Sequence, residues 1–251
     1  ATSIALTELS LSDDKIGDER TERLADAIAQ HSKLRTLNLW CNDIAARGIE
    51  RIAHAVQSCT ALQVLVLGMN KIDGPGGAAL GHALANPALA LRVLDLRGNL
   101  LRDEGTSGIA HGLRDNHTLE SLLLDGNRIT NAGVLDLAAA LSNKHSRLKE
   151  LSLTRNQIGD SGAFSLSNML LTNTGLERLY LFGNQIARSG TKAMTDAQKR
   201  SKTLREMQLR DPRRDRVMTK VRAELQRRWQ TGEQKSKNGS LLRQLFGGGR
   251  T

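Results

Sequence analysis

Aromatic side chains are scarce in this 251-residue sequence: two Trp, one Tyr and three Phe make up 2% of it. Cysteine is scarcer still, with only Cys41 and Cys59. Two cysteines cannot build a disulfide framework, and their number suits a reducing compartment. Cys41 falls in a strand-to-loop turn and Cys59 after a helix, so no pairing is expected. No run of 18 apolar residues occurs, which excludes a membrane-spanning helix. Ala1 to Ser12 lacks the basic and apolar regions of a secretory signal. An intracellular, cytoplasmic location is therefore expected.

Catalytic signatures are missing as well. There is no G-x-S-x-G, no H-E-x-x-H, no paired C-x-x-C and no G-x-x-x-x-G-K-[ST]. A non-enzymatic protein without cofactor, metal or small-molecule substrate is expected. His54, His82 and His111 share one helix position in successive repeats, and that position is expected to face solvent rather than a metal. Asp95 and Asp125 are expected to pair with Arg97 instead of doing acid–base work. The triplets beginning at Asn116 and Asn238 match glycosylation sequons, a pattern that arises often by chance.

Leucine, by contrast, is everywhere and regular. Leu34, Leu37, Leu39, Asn42 and Ile44 define a pattern L-x-x-L-x-L-x-x-N-x-[IL] that returns every 28 or 29 residues. It recurs from Leu62, Leu91, Leu119, Leu148 and Leu176. A single fixed period of this length means a solenoid whose units touch mainly their neighbours. Within one unit, Leu37 and Leu39 alternate with Thr36, Asn38 and Trp40, which predicts a short strand with one buried face. Asn42 follows at the turn, where its amide can bond backbone groups and stack on the Asn of the next unit. Ile52, Ala53 and Val56 then repeat at helical spacing, with a small residue that lets the helix lie close on its strand. Strand, turn, helix and return thus predict parallel strands on the inside of a curve and helices outside.

The end units deviate. The first has Asp14 where later units have Asn, and the last reaches Pro212 there. Residues 1–210 are expected to form the solenoid, as about seven full repeats plus a degenerate eighth. Val217, Val221, Leu225 and Trp229 recur every fourth residue and predict a capping helix over 211–230. Residues 231–251 read as a basic, flexible tail ending in the apolar cluster Leu241, Leu242, Leu245 and Phe246, which reads as a docking peptide.

The net charge of +10 is uneven: residues 211–251 carry +7 and the rest only +3. Arg213, Arg214, Arg216, Lys220, Arg227 and Arg228 decorate the cap, so any acidic partner is expected to meet the C-terminal region. Nearly no aromatics accompany them, which counts against stacking on single-stranded nucleic acid.

The repeat, followed by a glycine and a helix, resembles the ribonuclease-inhibitor-like leucine-rich repeats. That subclass includes ribonuclease inhibitors, the repeat domains of NOD-like receptors and the GTPase activators of Ran. The resemblance covers about residues 4–210 and implies an α/β leucine-rich-repeat horseshoe. It also implies protein binding through the concave strand face. This chain departs from ribonuclease inhibitors in having few cysteines and a near-neutral solenoid, and from Ran activators in its basic rather than acidic tail.

The outward strand positions are the expected binding surface. Three of the six aromatics, Trp40, Tyr180 and Phe182, fall on them, as do Val64, Val66, Leu123, Arg97 and Arg178. Two zones are predicted: an apolar one around Trp40, Val64 and Val66, and an aromatic, cationic one around Arg178, Tyr180 and Phe182. Arg97, Asp95 and Asp125 would lie between them. A partner protein is expected to be held here without large rearrangement, because the surface is formed when the solenoid folds. A GTPase regulator, the sensing end of a NOD-like receptor and an electrostatic adaptor working through the tail are the alternatives.

Overall fold

A computed structural model describes residues 6–143 and 146–209. Eight three-residue strands alternate with seven helices. In chain order they are β1 (Glu8–Ser10), α1 (Gly17–Ala29), β2 (Thr36–Asn38), α2 (Ala46–Ser58), β3 (Val64–Val66) and α3 (Gly74–Leu84). β4 (Val93–Asp95), α4 (Arg102–Leu113), β5 (Ser121–Leu123), α5 (Asn131–Leu141) and β6 (Glu150–Ser152) follow. The last four are α6 (Asp160–Thr172), β7 (Arg178–Tyr180), α7 (Arg188–Arg200) and β8 (Glu206–Gln208). The strands form one parallel sheet in sequential order. Register follows the repeat, with Leu37 opposite Leu65 and Leu65 opposite Leu94. This is the leucine-rich-repeat horseshoe that the spacing predicts.

The leucines at the first, fourth and sixth pattern positions point inward and are buried: Leu34, Leu37, Leu39 and their equivalents make one continuous core with the inner helix faces. The small helix residues Ala53, Gly81, Ala110, Ala138 and Ser167 are all buried against that core. His54, His82 and His111 are exposed on the outer helix face. Both cysteines are free thiols. Asn116 is buried, and its amide donates to the Leu84 carbonyl (2.8 Å) and accepts from the Leu119 N–H (2.8 Å), so it is committed to the fold rather than open to a glycan.

Two hydrogen-bonded ladders run along the solenoid. The first is the asparagine ladder expected from the turn position. Asn70 Oδ1 accepts from the N–H groups of Asn42 and Ile44, both at 3.0 Å, in the preceding repeat. Its Nδ2 donates to the Leu39 and Leu67 carbonyls, both at 2.9 Å. The second ladder lies at the helix N-termini and has no counterpart in the sequence reading. Asp18 accepts from the Ala45 N–H (2.7 Å), Asp103 from Thr130 and Gly133, Asn131 from Gly159 and Gly162, and Asp160 from Ala187 (2.7 Å). Each carboxylate or amide therefore caps the helix of the following repeat, where orphan N–H groups and the positive end of the helix favour it. Ser189 and the Ala187 and Gly190 N–H groups hold the Asp160 carboxyl below the usual aspartate range, against a smaller opposing effect of burial.

Candidate functional site

The outward strand residues lie on the concave side, in rows 28 or 29 residues apart, because the parallel register sets each beside its equivalent. Alternation fixes the direction of these side chains. It does not keep them exposed. Val66 is 0% and Tyr180 4% exposed, which corrects the expectation that both offer contact surface. Neither belongs to the leucine core. Strands only about 4.8 Å apart crowd their outward side chains, and long neighbours close over shorter or central ones.

At Val66 the cover is identifiable. Asn38 and Asp95 flank it in register. Two residues further along, the three repeats read Trp40, Gly68, Arg97. Gly68 supplies no side chain, and a Cβ built on it would collide with the Trp40 ring, so the indole lies across the third repeat. It reaches the fourth, where the Arg97 guanidinium sits 5.2 Å from the ring centroid. Arg97 is itself fixed by a two-pronged pair with Asp95, Nε–Oδ1 at 2.8 Å and Nη2–Oδ2 at 2.5 Å. Burial opposes the charge on Arg97, but Asp95, then Asp125 and Glu150, outweigh it and raise the pKa above the ordinary arginine value. Trp40 and Arg97 thus form one preassembled plate, although the sequence placed Trp40 in the apolar zone and Arg97 between the two zones. Val64 and Leu123 remain half-exposed beside it.

The second zone is built differently. Tyr180 is enclosed by charged neighbours: its hydroxyl lies 3.3 Å from Glu206 Oε2, and Glu150 pairs with Arg178 at 3.4 Å. Burial first, and then the Glu150 and Glu206 charges, push the phenol well above its ordinary pKa. Tyr180 is the floor of this zone, while Phe182 and Arg178 are half-exposed above it. The phenol's raised pKa gives a clean expectation, since Tyr180 is the only tyrosine in the chain. Absorbance of the native protein near 295 nm should show no phenolate as pH passes the ordinary tyrosine value of about 10. The unfolded chain releases this proton more easily, so Tyr180 stabilises the fold below that value. The contribution falls as pH rises. Phenolate should therefore appear together with unfolding in an alkaline titration, and a native-state titration near pH 10 would contradict the enclosure.

Between the zones, Asp125 accepts from Ser152 Oγ (2.6 Å) and the Thr154 N–H (2.9 Å). Met69, which the sequence reading passed over, is 52% exposed in the turn after β3, beside the plate. The signal was available: the equivalent turn positions hold Asp13, Cys41, Gly98, Gly126 and Arg155, and only this repeat places a large apolar side chain there. Arg213, Arg214, Arg216, Lys220, Arg227 and Arg228 lie outside the described residues, as do the proposed cap and tail. No helix among the described residues is long and apolar enough to cross a membrane.

Comparison with known proteins agrees with this geometry. A family model described as Leucine Rich repeat matches residues 30–53, 58–81, 115–138 and 144–167. Mouse (Mus musculus) ribonuclease inhibitor is 30% identical over 182 residues, which is 72% of this chain and 40% of the relative. RAN GTPase-activating protein 2 of Arabidopsis thaliana is 26% identical over 102 residues, 41% of this chain and 19% of the relative. Among solved structures, a leiomodin-1 actin-binding site 2 chain has a TM-score of 0.40 and 20% identity, covering 57% of this chain and 81% of that one. The chain spans 40% of the length of the ribonuclease inhibitor it matches. With its sequential parallel sheet, its asparagine ladder and the repeats that the family model matches, the chain is a leucine-rich-repeat solenoid similar to ribonuclease inhibitors.

Proposed function

We propose that this solenoid is a scaffold that binds another protein on its concave face, without chemistry of its own. One observation carries the reading: the Trp40 ring, laid over Gly68 and held by Arg97 at 5.2 Å, offers a half-exposed apolar surface whose geometry is fixed before any partner arrives. Aromatic and arginine side chains held in this way are the usual anchors of interfaces, because little freedom is lost on binding. Val64, Leu123 and Met69 add apolar area around the plate. Phe182 and Arg178 form the second contact. Val66 and Tyr180 support these residues from below.

The partner's charge is also constrained. Among the described residues, Glu8, Asp95, Asp125, Glu150 and Glu206 occupy outward positions of the strand segments, against Arg97 and Arg178 as cations; Arg210 is the next outward position in the sequence. The concave strip is therefore mildly acidic within a basic chain, with Asp95 and Glu150 already paired to Arg97 and Arg178, and it favours a partner that offers lysine or arginine. The similarity to ribonuclease inhibitors supports a protein ligand in general.

Trp40→Ala should weaken partner binding by about 30-fold or more, the loss typical of an anchor residue. It should lower unfolding stability by only about 1 kcal/mol, the cation–π and partial packing terms. Quantitative capture with wild type and the variant, followed by titration of the recovered partner, measures the first, and urea unfolding measures the second. Equal recovery would remove the plate from the site.

Regulation of a small GTPase is the second reading, supported by the similarity to RAN GTPase-activating protein 2. Single-turnover GTP hydrolysis with candidate GTPases tests it, and no acceleration with any of them removes it. Arg97 is a poor candidate for a group inserted beside a phosphate, since it would have to leave both Asp95 bonds. The basic residues after 210 support a third reading, an electrostatic adaptor whose binding weakens steeply with salt.

A further inference from the structure

The convex side, made of helices, is strongly patterned. At its outermost position the repeats carry Glu22 and Glu50, then Ala78 and Ser107, then Leu135 and Phe164, and finally Lys192. Parallel helices in successive repeats set these residues side by side. One turn on, the positions over α5 and α6 are Ala139 and Asn168, both exposed. A further turn along α6 is Leu171. Leu135 is 58%, Phe164 45% and Leu171 52% exposed, which makes them three of the four large apolar side chains exposed among the described residues. The outer face of α6 carries no charge beyond Asp160 at its first position, while α1, α2 and α7 are densely charged.

A charge-free apolar strip between charged helices is the composition of an interface centre, not of an ordinary solvated face. Its neighbour α7 settles the sign of what covers it. Arg188, Lys192 and Arg200 are exposed there without an ion pair among the described residues, and the only acidic residue, Asp196, is already taken by Lys199 at 3.7 Å. The strip is therefore apolar with a cationic margin on its α7 side, while α5 itself carries one half-exposed carboxylate, Asp136.

We propose that the convex face of α5 and α6 docks an amphipathic helix of another protein, its apolar side on Leu135, Phe164 and Leu171 and its acidic side along α7. The groove between two adjacent parallel helices accepts a third helix through side chains spaced at i, i+3, i+4 and i+7. The chain's own apolar C-terminal cluster, Leu241 to Phe246, is the wrong occupant on charge, since residues 211–251 carry +7 and would meet another cationic face. This surface is separate from the concave one, and neither depends on the other.

The test uses the full chain and two labelled synthetic helices of about four turns. Both have the same Leu/Phe face; one carries Glu on the remaining positions and the other Lys. Anisotropy titration should show saturable binding of the acidic helix, at least tenfold tighter than the lysine helix. Leu135→Gln/Phe164→Gln should weaken it at least tenfold, and Lys192→Glu/Arg188→Glu should reverse the preference. All these residues are exposed, so thermal midpoints should stay within the range of the wild type. Trp40→Ala should leave this binding unchanged. Several results overturn the proposal: no binding, equal binding of the two helices, or a loss caused by Trp40→Ala and not by Phe164→Gln. A concentration-dependent dimer that Phe164→Gln dissolves would assign the face to a second copy. Acidic-helix binding seen only after Leu241, Leu242, Leu245 and Phe246 are changed to Ser in the full chain would assign it to the tail.

Discussion

Asn156→Ala is expected to destabilise the protein by about 3–5 kcal/mol, a large fraction of a typical domain's stability. Asn156 is 5% exposed and serves two repeats at once. Its Oδ1 accepts from the N–H groups of Asn127 (2.9 Å) and Ile129 (3.1 Å), and its Nδ2 donates to the Leu124 and Leu153 carbonyls, both at 3.0 Å. Alanine would leave these groups buried without partners, and each costs on the order of 1–3 kcal/mol. Asn156→Asp separates the two halves of the role. It keeps the acceptor but replaces the donor with a carboxylate facing carbonyl oxygens. At neutral pH it should cost at least as much as alanine. Asn184→Ala should cost less, because Asn184 is half-exposed and, among the described residues, accepts from the Ile158 N–H (3.1 Å) alone. Urea unfolding of the three variants gives the ranking. An Asn156→Asp protein as stable as wild type would show that the carbonyl bonds contribute nothing.

Gly108→Ala and Gly81→Ala should each be destabilising by about 1–3 kcal/mol, although alanine raises helix propensity by nearly 1 kcal/mol in a helix interior. The sign follows from what the new methyl would meet. A Cβ on Gly108 would lie 2.5 Å from the Ala78 Cα, and one on Gly81 would strike the Gly108 carbonyl. Both obstacles are backbone, which cannot rotate aside as a side chain can. Gly77, where an added Cβ would lie 2.5 Å from the Gly105 Cα, and Gly112, where one would strike Gly81, complete a glycine-lined seam between α3 and α4. Forcing this seam open weakens one interface in a structure held by nearest-neighbour contacts. The denaturation curve of Gly81→Ala should therefore broaden or split, as the repeats on either side lose their coupling. Ser107→Ala, half-exposed on the same helix, should stay within about 0.5 kcal/mol of wild type. A sharp transition and unchanged midpoint for Gly81→Ala would mean that the two helices can separate at no cost.

Strand and helix order, the inward leucines, the asparagine ladder and the solvent-facing histidines were all legible in the residues. Each depends on a local period: two for Leu37 and Leu39, nearly four for Ile52 and Val56, 28 or 29 for Asn42 and Asn70. A period fixes the direction in which a side chain points, because the backbone repeats its geometry with it. What the side chain meets there is another matter. Val66 and Tyr180 point outward as the alternation requires, and yet both are covered. The cover at Val66 comes from residues one strand away on either side, and the glycine at 68 that lets an indole lie flat was visible only as a missing side chain. The helix-capping ladder of Asp18, Asp103 and Asp160 and the glycine seam of α3 and α4 were hidden for the same reason. Each is a contact between residues 25 or more positions apart, and sequence spacing carries no information on side-chain length, rotamer or approach distance across that gap. The sequence by itself determined which way every strand residue faces. Only the tertiary structure decided which of them remain open to a partner.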